Sequence, residues 1–192
     1  MKNPFIFLVR SKHVCPWWLC FTFDNFLRPL FHDPVKMLKG YIRAGDTLLD
    51  VGPGMGYFTI PMARMVGETG RVIAADVQQK MLAFLVSRAK KAGLAQRIEP
   101  HLVSQASLGI QEQIDFALAF WMVHEVRERD RFLEELKSLL KVGGLFLMVE
   151  PAMHVSKEKY QETERRAQAA GLALKERPKI SLSRSTLFVR LQ

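Results

Sequence analysis

The sequence predicts an α/β domain, a doubly wound and mostly parallel seven-stranded sheet that ends in a C-terminal antiparallel hairpin. Three observations carry this prediction. From residue 33 onward, short apolar runs of strand length alternate with segments whose apolar residues recur at helical spacing. A glycine-rich turn, Gly52-Pro53-Gly54-Met55-Gly56, joins an early strand directly to a helix. The last two strands are separated by a link of hairpin length, and a parallel pair would need a long crossover.

The elements follow in order. Asp33 and Pro34 suit the N-cap and first position of a helix running to about Arg43, with Val35, Leu38 and Ile42 on one face. Ala44-Gly45-Asp46 turns the chain into a strand where Thr47, Leu48, Leu49 and Val51 make the apolar run of a segment buried on both faces. Beyond the glycine turn, Ile60, Met62, Ala63 and Met65 predict a helix, and Gly67-Glu68-Thr69-Gly70 a turn. Arg71–Asp76 reads as the second strand, and Met81, Leu82, Leu85, Ala89 and Ala92 give a helical stripe ending at Gly93. Arg97–Val103 is the third strand and Ile114–Trp121, almost wholly apolar, the fourth. Asp130 is placed to cap the helix carrying Phe132, Leu133, Leu136, Leu139 and Leu140, and Lys141-Val142-Gly143-Gly144 to close it. Leu145–Glu150 is the fifth strand. Ser156 can cap a last helix, with Tyr160, Thr163, Ala167 and Ala170 on one face and Gly171 at its end. Leu172–Ile180 and Ser185–Leu191 then form the hairpin.

Composition bounds the class. The 192 residues, 48% hydrophobic and 24% charged, are those of an ordinary globular domain with a full core. The formal charge of +9 admits an anionic partner. The basic residues are interleaved with acids, however, as in Arg127-Glu128-Arg129-Asp130-Arg131, and no block of five like charges occurs. A solvated basic surface is the first reading, and a nucleic-acid or membrane footprint the competing one.

Residues 1–32 form an aromatic-rich extension ahead of a domain at 33–192. Eight of the 19 aromatic residues fall within the first 31. The longest apolar runs there, Pro4–Val9 and Val14–Phe23, fall short of the ~20 residues a membrane span needs. No convincing cleavage site follows Lys2, so a cytoplasmic chain is expected. The extension reads as a lid over a substrate, as a dimer interface or as core packing. It holds both cysteines, Cys15 and Cys20, with His13 and His32 nearby. That spacing fits none of the usual zinc patterns well, so two reduced thiols are the plainer reading and no metal is expected.

The chemistry concentrates at strand ends. The glycine turn puts unpaired N–H groups and the positive end of a helix dipole at the carboxyl end of a buried strand, where doubly wound sheets bind small molecules. A dinucleotide fingerprint would need its third glycine at position 57, which is Tyr. Asp76, 20 residues after Gly56, suits an acceptor for ribose hydroxyls, although a helix N-cap would also favour Asp there. His124 and Glu125 follow the fourth strand, and Glu150 and His154 the fifth. A lone His at a strand end is more often a structural hydrogen-bonder, but two at adjacent strand ends strengthen the case for a proton acceptor. Trp121 can pack an apolar substrate or simply fill core.

The pattern Asp50-x-Gly52-x-Gly54-x-Gly56, with Asp76 and the Leu139–Leu145 junction Leu-Leu-Lys-Val-Gly-Gly-Leu, resembles the class I S-adenosylmethionine-dependent methyltransferases. Val142 stands where that junction commonly has Pro. The likeness runs from about Asp33 to the C-terminus. It implies a Rossmann-like fold, S-adenosyl-L-methionine as cofactor, and methyl transfer in which positioning and water exclusion supply most of the acceleration. The implied cofactor-binding residues are Asp50, Gly52, Pro53, Gly54, Gly56, Asp76, Val77, Gln105 and Phe120, with Gln105 where the family frequently has Asp. Trp121 and Glu150 would bind substrate, and His124, His154 and Glu125 are the catalytic candidates. No Asn/Asp-Pro-Pro-Tyr-type motif follows the fourth strand, which argues against methylation of adenine or glutamine amides. The expected activity is methyl transfer to a small-molecule acceptor, by a monomer or homodimer. An RNA or protein methyltransferase and a non-catalytic cofactor-binding module are the alternatives.

Overall fold

The structure is a computed structural model describing residues 31–104 and 106–192. The thiol pair, most of the aromatic extension and Gln105 therefore lie outside the described residues. Strands β1 (Thr47–Val51), β2 (Arg71–Asp76), β3 (Ile98–Leu102), β4 (Ile114–Phe120), β5 (Leu140–Pro151), β6 (Leu172–Glu176) and β7 (Ser183–Arg190) form one sheet. Its order is β3-β2-β1-β4-β5-β7-β6. Strands β1 to β5 run parallel, and β7 is antiparallel to both β5 and β6.

Helices α1 (Pro34–Leu38), α2 (Thr59–Met65) and α3 (Gln79–Lys91) cover one face of the sheet, and α4 (Arg129–Leu139) and α5 (Lys157–Ala169) the other. Alternation along each strand supplies both cores. In β1, Leu48 joins Leu38, Met62 and Leu85, whereas Leu49 and Val51 join Phe132, Leu136 and Phe146. Across β5 and β7 the buried pair Phe146 and Phe188 stacks at 5.9 Å. The chain winds outward from β1 to β3, then restarts on the other side with β4. At that switch point the connections leaving the paired carboxyl ends of β1 and β4 run to opposite faces, the place where such sheets bind ligands.

Three local expectations are corrected. Asp33 caps α1 by accepting from the N–H groups of Val35 and Lys36 at 3.0 and 3.1 Å, but the helix stops at Leu38, before Gly40. Val35 is left 51% exposed while Leu38 and Ile42 are buried. Asp130 lies within the first turn of α4, where Arg166 of α5 grips both its oxygens at 2.9 and 2.7 Å. Lys141–Gly144 belongs to β5 and is no helix cap. Leu140 already has an extended backbone and pairs with Ile114, and both side chains are fully buried. The next residues bulge out between the Ile114 and Phe116 pairings, with Gly143 at φ +81° and Lys141 Nζ on Asp115 at 2.7 Å.

Candidate functional site

The glycine turn is tied at both ends. Gly52 N–H donates to the Ala75 carbonyl, and Gly56 N–H to that of Pro53, both at 2.9 Å. Gly52, Gly54 and Gly56 take φ values of +67°, +55° and +86°, which disfavour any side chain. A Cβ at Gly52 would lie 3.1 Å from Met122, and one at Gly56 3.1 Å from Leu85, so these two serve packing. A Cβ at Gly54 would meet nothing within 4 Å, leaving bare backbone against open space. Below the turn, buried Asp50 accepts the Thr59 hydroxyl at 2.6 Å, which clamps the end of β1 to the start of α2. Pro53 is buried beside it.

Asp76 ends β2 as a buried acid. It accepts the Gln78 N–H at 2.8 Å and is also within reach of the Gly54 and Val77 N–H groups. The N-cap of α3 is Gln78 and not Asp76, so the capping alternative does not apply in that form. Burial pushes the carboxyl up to about 6, against the three backbone N–H groups that pull it down. The charge of Glu125 adds to the rise, which puts the end of β2 and the turn after β4 on one cleft.

An aromatic wall closes that cleft. Trp121 sits at φ +60°, a conformation non-glycine residues seldom adopt, directly after β4. Its N–H donates to Val149 O at 2.7 Å and its indole Nε1–H to Ser183 Oγ at 3.0 Å. Phe120, 7% exposed, stacks on Trp121 at 5.2 Å and tilts against Phe58 at 4.5 Å. The buried ring of His32 sits edge-on to both Phe120 and Trp121 and donates from Nε2 to Ser181 O at 2.8 Å. His32, weighed from sequence as a neighbour of the thiols, is thus part of the wall.

Beside the wall, the structure brings His124 and Glu150 together. His124 lies in a 3-10 turn, Val123–Glu125, and its Nδ1 is 2.5 Å from Glu150 Oε2. Its backbone N–H also reaches Glu150 Oε1 at 3.3 Å. Glu150 is 2% exposed and comes from the end of β5. Arg129 braces the turn by donating to the carbonyls of Val123 and His124 at 3.3 and 2.9 Å. With Nδ1–H held by the carboxylate, Nε2 is the ring's proton-accepting nitrogen, 4.0 Å from Glu125 Oε1. The ring of His154 stands edge-on at 4.9 Å, on an exposed residue. Burial against its neighbours and the charge of His124 hold its pKa below the ordinary histidine value.

A family model described as "Methyltransferase domain" matches residues 48–144, from β1 into β5. The chain belongs to that family, and its sheet order and glycine turn make it a class I S-adenosylmethionine-dependent methyltransferase. Among its relatives, the ubiquinone/menaquinone biosynthesis C-methyltransferase UbiE of Escherichia fergusonii is 30% identical over 110 residues, 57% of this chain and 44% of that protein. The chain thus spans under half the length of the curated relatives it matches. A solved S-adenosylmethionine-dependent methyltransferase from Aquifex aeolicus aligns at TM-score 0.83 and 25% identity, covering 92% of this chain and 99% of that one. A Thermotoga maritima S-adenosylmethionine-dependent O-methyltransferase shares the fold at TM-score 0.70 and 19% identity, covering 93% and 73%.

The cofactor of this class is S-adenosylmethionine, and the residues present fit it. Gly54 leaves room against its backbone, and Asp76 offers a buried carboxylate beside it. Several partners escaped the sequence reading. Thr59, Arg129, Ser183 and the wall role of His32 each depend on contacts that periodicity does not encode. Arg129 sat in a charge run read as solvated, and Ser183 in a link read only as a turn. No helix among the described residues is long and apolar enough to cross a membrane.

Proposed function

We propose that this methyltransferase acts on a small-molecule acceptor and that His124, oriented by Glu150, is its general base. The observation that carries the proposal is the 2.5 Å pairing of His124 Nδ1 with a buried carboxylate at the adjacent strand end. The name of the curated relatives, C-methyltransferases of ubiquinone and menaquinone biosynthesis, supports a small acceptor.

When bound, S-adenosylmethionine supplies an electrophilic methyl group on a sulfonium. Asp50, Gly52, Pro53, Gly54 and Gly56 would shape its cradle, with Gly54 presenting the open backbone, Asp76 would accept from the ribose hydroxyls, and Val77 and Phe120 would flank it. His124 Nε2 takes the proton that the acceptor atom must lose as it gains the methyl group. Glu150 accepts the Nδ1–H bond and balances the imidazolium charge, as the carboxylate in a catalytic triad does. Trp121 and Phe120 give the acceptor an apolar wall and exclude water. Glu125, near Nε2, orients the acceptor's proton, and His154 is held neutral as a second polar contact.

His124→Gln should lower turnover by about 10²–10⁴-fold and remove the acid limb of the pH–rate profile. Cofactor affinity by calorimetry should stay within about twofold. An unchanged pH–rate profile in the variant would refute the general-base role and leave the methyltransferase class intact.

A further inference from the structure

The link between β6 and β7, together with the first turns of α5, lines an open groove of about 540 Å³. Strand directions place it at the carboxyl end of the sheet, where β5 ends and β7 begins. Four cations line it, Lys157, Arg177, Lys179 and Arg184, against one carboxylate, that of Glu164. Glu164 is 6% exposed and already engaged, by Arg177 Nε at 3.0 Å and by the Thr186 hydroxyl. Arg184 Nη1 donates to the carbonyls of Ala152 and Val155 at 2.8 and 2.7 Å, which fixes the guanidinium without neutralising it. Lys157 and Lys179 are exposed and pair with no acid among the described residues. Glu158, next along α5, is held by its own N–H and the Ser156 hydroxyl, and its charge also reaches Lys157 and Arg184.

The groove adjoins the cleft described above through β7. Ser183 lines it and accepts the indole N–H of Trp121 at 3.0 Å. Arg184 is the cross-strand partner of Glu150, the acid that orients His124. A ligand reaching from Trp121 toward β7 therefore passes from an apolar wall to the fixed guanidinium of Arg184, with exposed Lys157 and Lys179 beyond it. Lys side chains there act as point charges and Arg as a planar fork, the two ways proteins hold phosphate and carboxylate.

We propose that this groove binds the anionic group, a phosphate or a carboxylate, of a small-molecule methyl acceptor whose reacting end lies against Trp121 and His124. The proposal rests on the methyltransferase reading of the cleft. The groove is open, and its volume of about 540 Å³ is ample for one small anionic group. A polynucleotide would need a basic track continuing past it, whereas elsewhere the chain interleaves its cations with acids.

The test uses the full chain with S-adenosylhomocysteine bound, titrated with phenyl phosphate and benzoate and with the neutral phenol and benzamide. The readout is the indole N–H resonance of Trp121, assigned with Trp121→Phe. Saturable shifts are expected for an anionic probe, with neutral counterparts at least about tenfold weaker. Tighter binding of phenyl phosphate would assign a phosphate, and tighter binding of benzoate a carboxylate. Lys157→Ala/Lys179→Ala should weaken the anion at least about tenfold and leave S-adenosylhomocysteine affinity unchanged. Equal binding of neutral and anionic probes, or an unaffected double variant, would overturn the groove assignment. So would preferential capture of an oligouridylate with steep salt dependence. Loss of S-adenosylhomocysteine binding in the unaltered protein would instead bring down the methyltransferase reading itself.

Discussion

Asp76 allows a prediction whose sign and size both follow from its surroundings. Burial raises the carboxyl from 3.8 to about 6 in the ligand-free protein. A raised folded value means that the stabilising contribution is fully present below 3.8 and is lost as pH rises through about 6. Ionising the group therefore costs the empty fold on the order of 3 kcal/mol. The proposed ribose contact reverses this preference, because an ionised carboxylate can accept from both hydroxyls at once. With a midpoint near 6, about a tenth of the protein is ionised at pH 5 and about nine tenths at pH 7. S-adenosylmethionine should thus bind about tenfold more tightly at pH 7 than at pH 5. The ligand's own α-amino and α-carboxyl groups titrate outside that window. Calorimetry at both pH values measures the ratio, and repeating it at pH 6 in buffers of different ionisation enthalpy should reveal proton release. Asp76→Asn should bind at least about tenfold more weakly at pH 7 and show no dependence across this window. A flat affinity in the unaltered protein, or the same slope in Asp76→Asn, would refute the reasoning.

Two further predictions follow from the turn and the extension. Gly54→Ala places its Cβ in open space, so it should cost only the left-handed backbone term of about 1–2 kcal/mol while sharply weakening the cofactor. Gly56→Ala adds a 3.1 Å approach to Leu85 and should lower the urea midpoint further, which denaturation of the two variants side by side would show. Removing residues 1–30 should leave cofactor affinity within about twofold and abolish turnover if the extension is a lid. A fully active truncated chain would exclude that role.

The fold was legible because its determinants are local and repeated. Leu48 and Leu49 face opposite cores, so β1 reads as an unbroken apolar run, and the stripe from Met81 to Ala89 marks α3. Where two local signals competed, sequence reasoning chose the wrong one. Lys141-Val-Gly-Gly carries a helix C-cap signature, yet Leu140 gains more by leaving the helix and burying itself opposite Ile114. Glycines suit a bulge as well as a cap, and only the partner strand decides.

The two halves of the site differ in the same respect. The proposed cofactor half is built from short-range geometry: Asp50 to Thr59 spans nine residues, and Asp76 to Gln78 two. Asp50 and Asp76 carry their spacing to the glycine turn in the sequence and could be named from it, whereas their partners Thr59 and Gln78 could not. The proposed acceptor half is held by distant pairings, Glu150 to His124 over 26 residues, Ser183 to Trp121 over 62, and Ser181 to His32 over 149. The histidines and Glu150 could be named as candidates, but their pairing could not be derived, because it needs β5 to lie beside β4 and β7 beside β5. This separation has a functional consequence. Changes in the β6–β7 link can reshape the groove beside Trp121 without touching the glycine turn or Asp76. Acceptor preference should therefore vary independently of cofactor affinity, and the Lys157→Ala/Lys179→Ala variant separates the two.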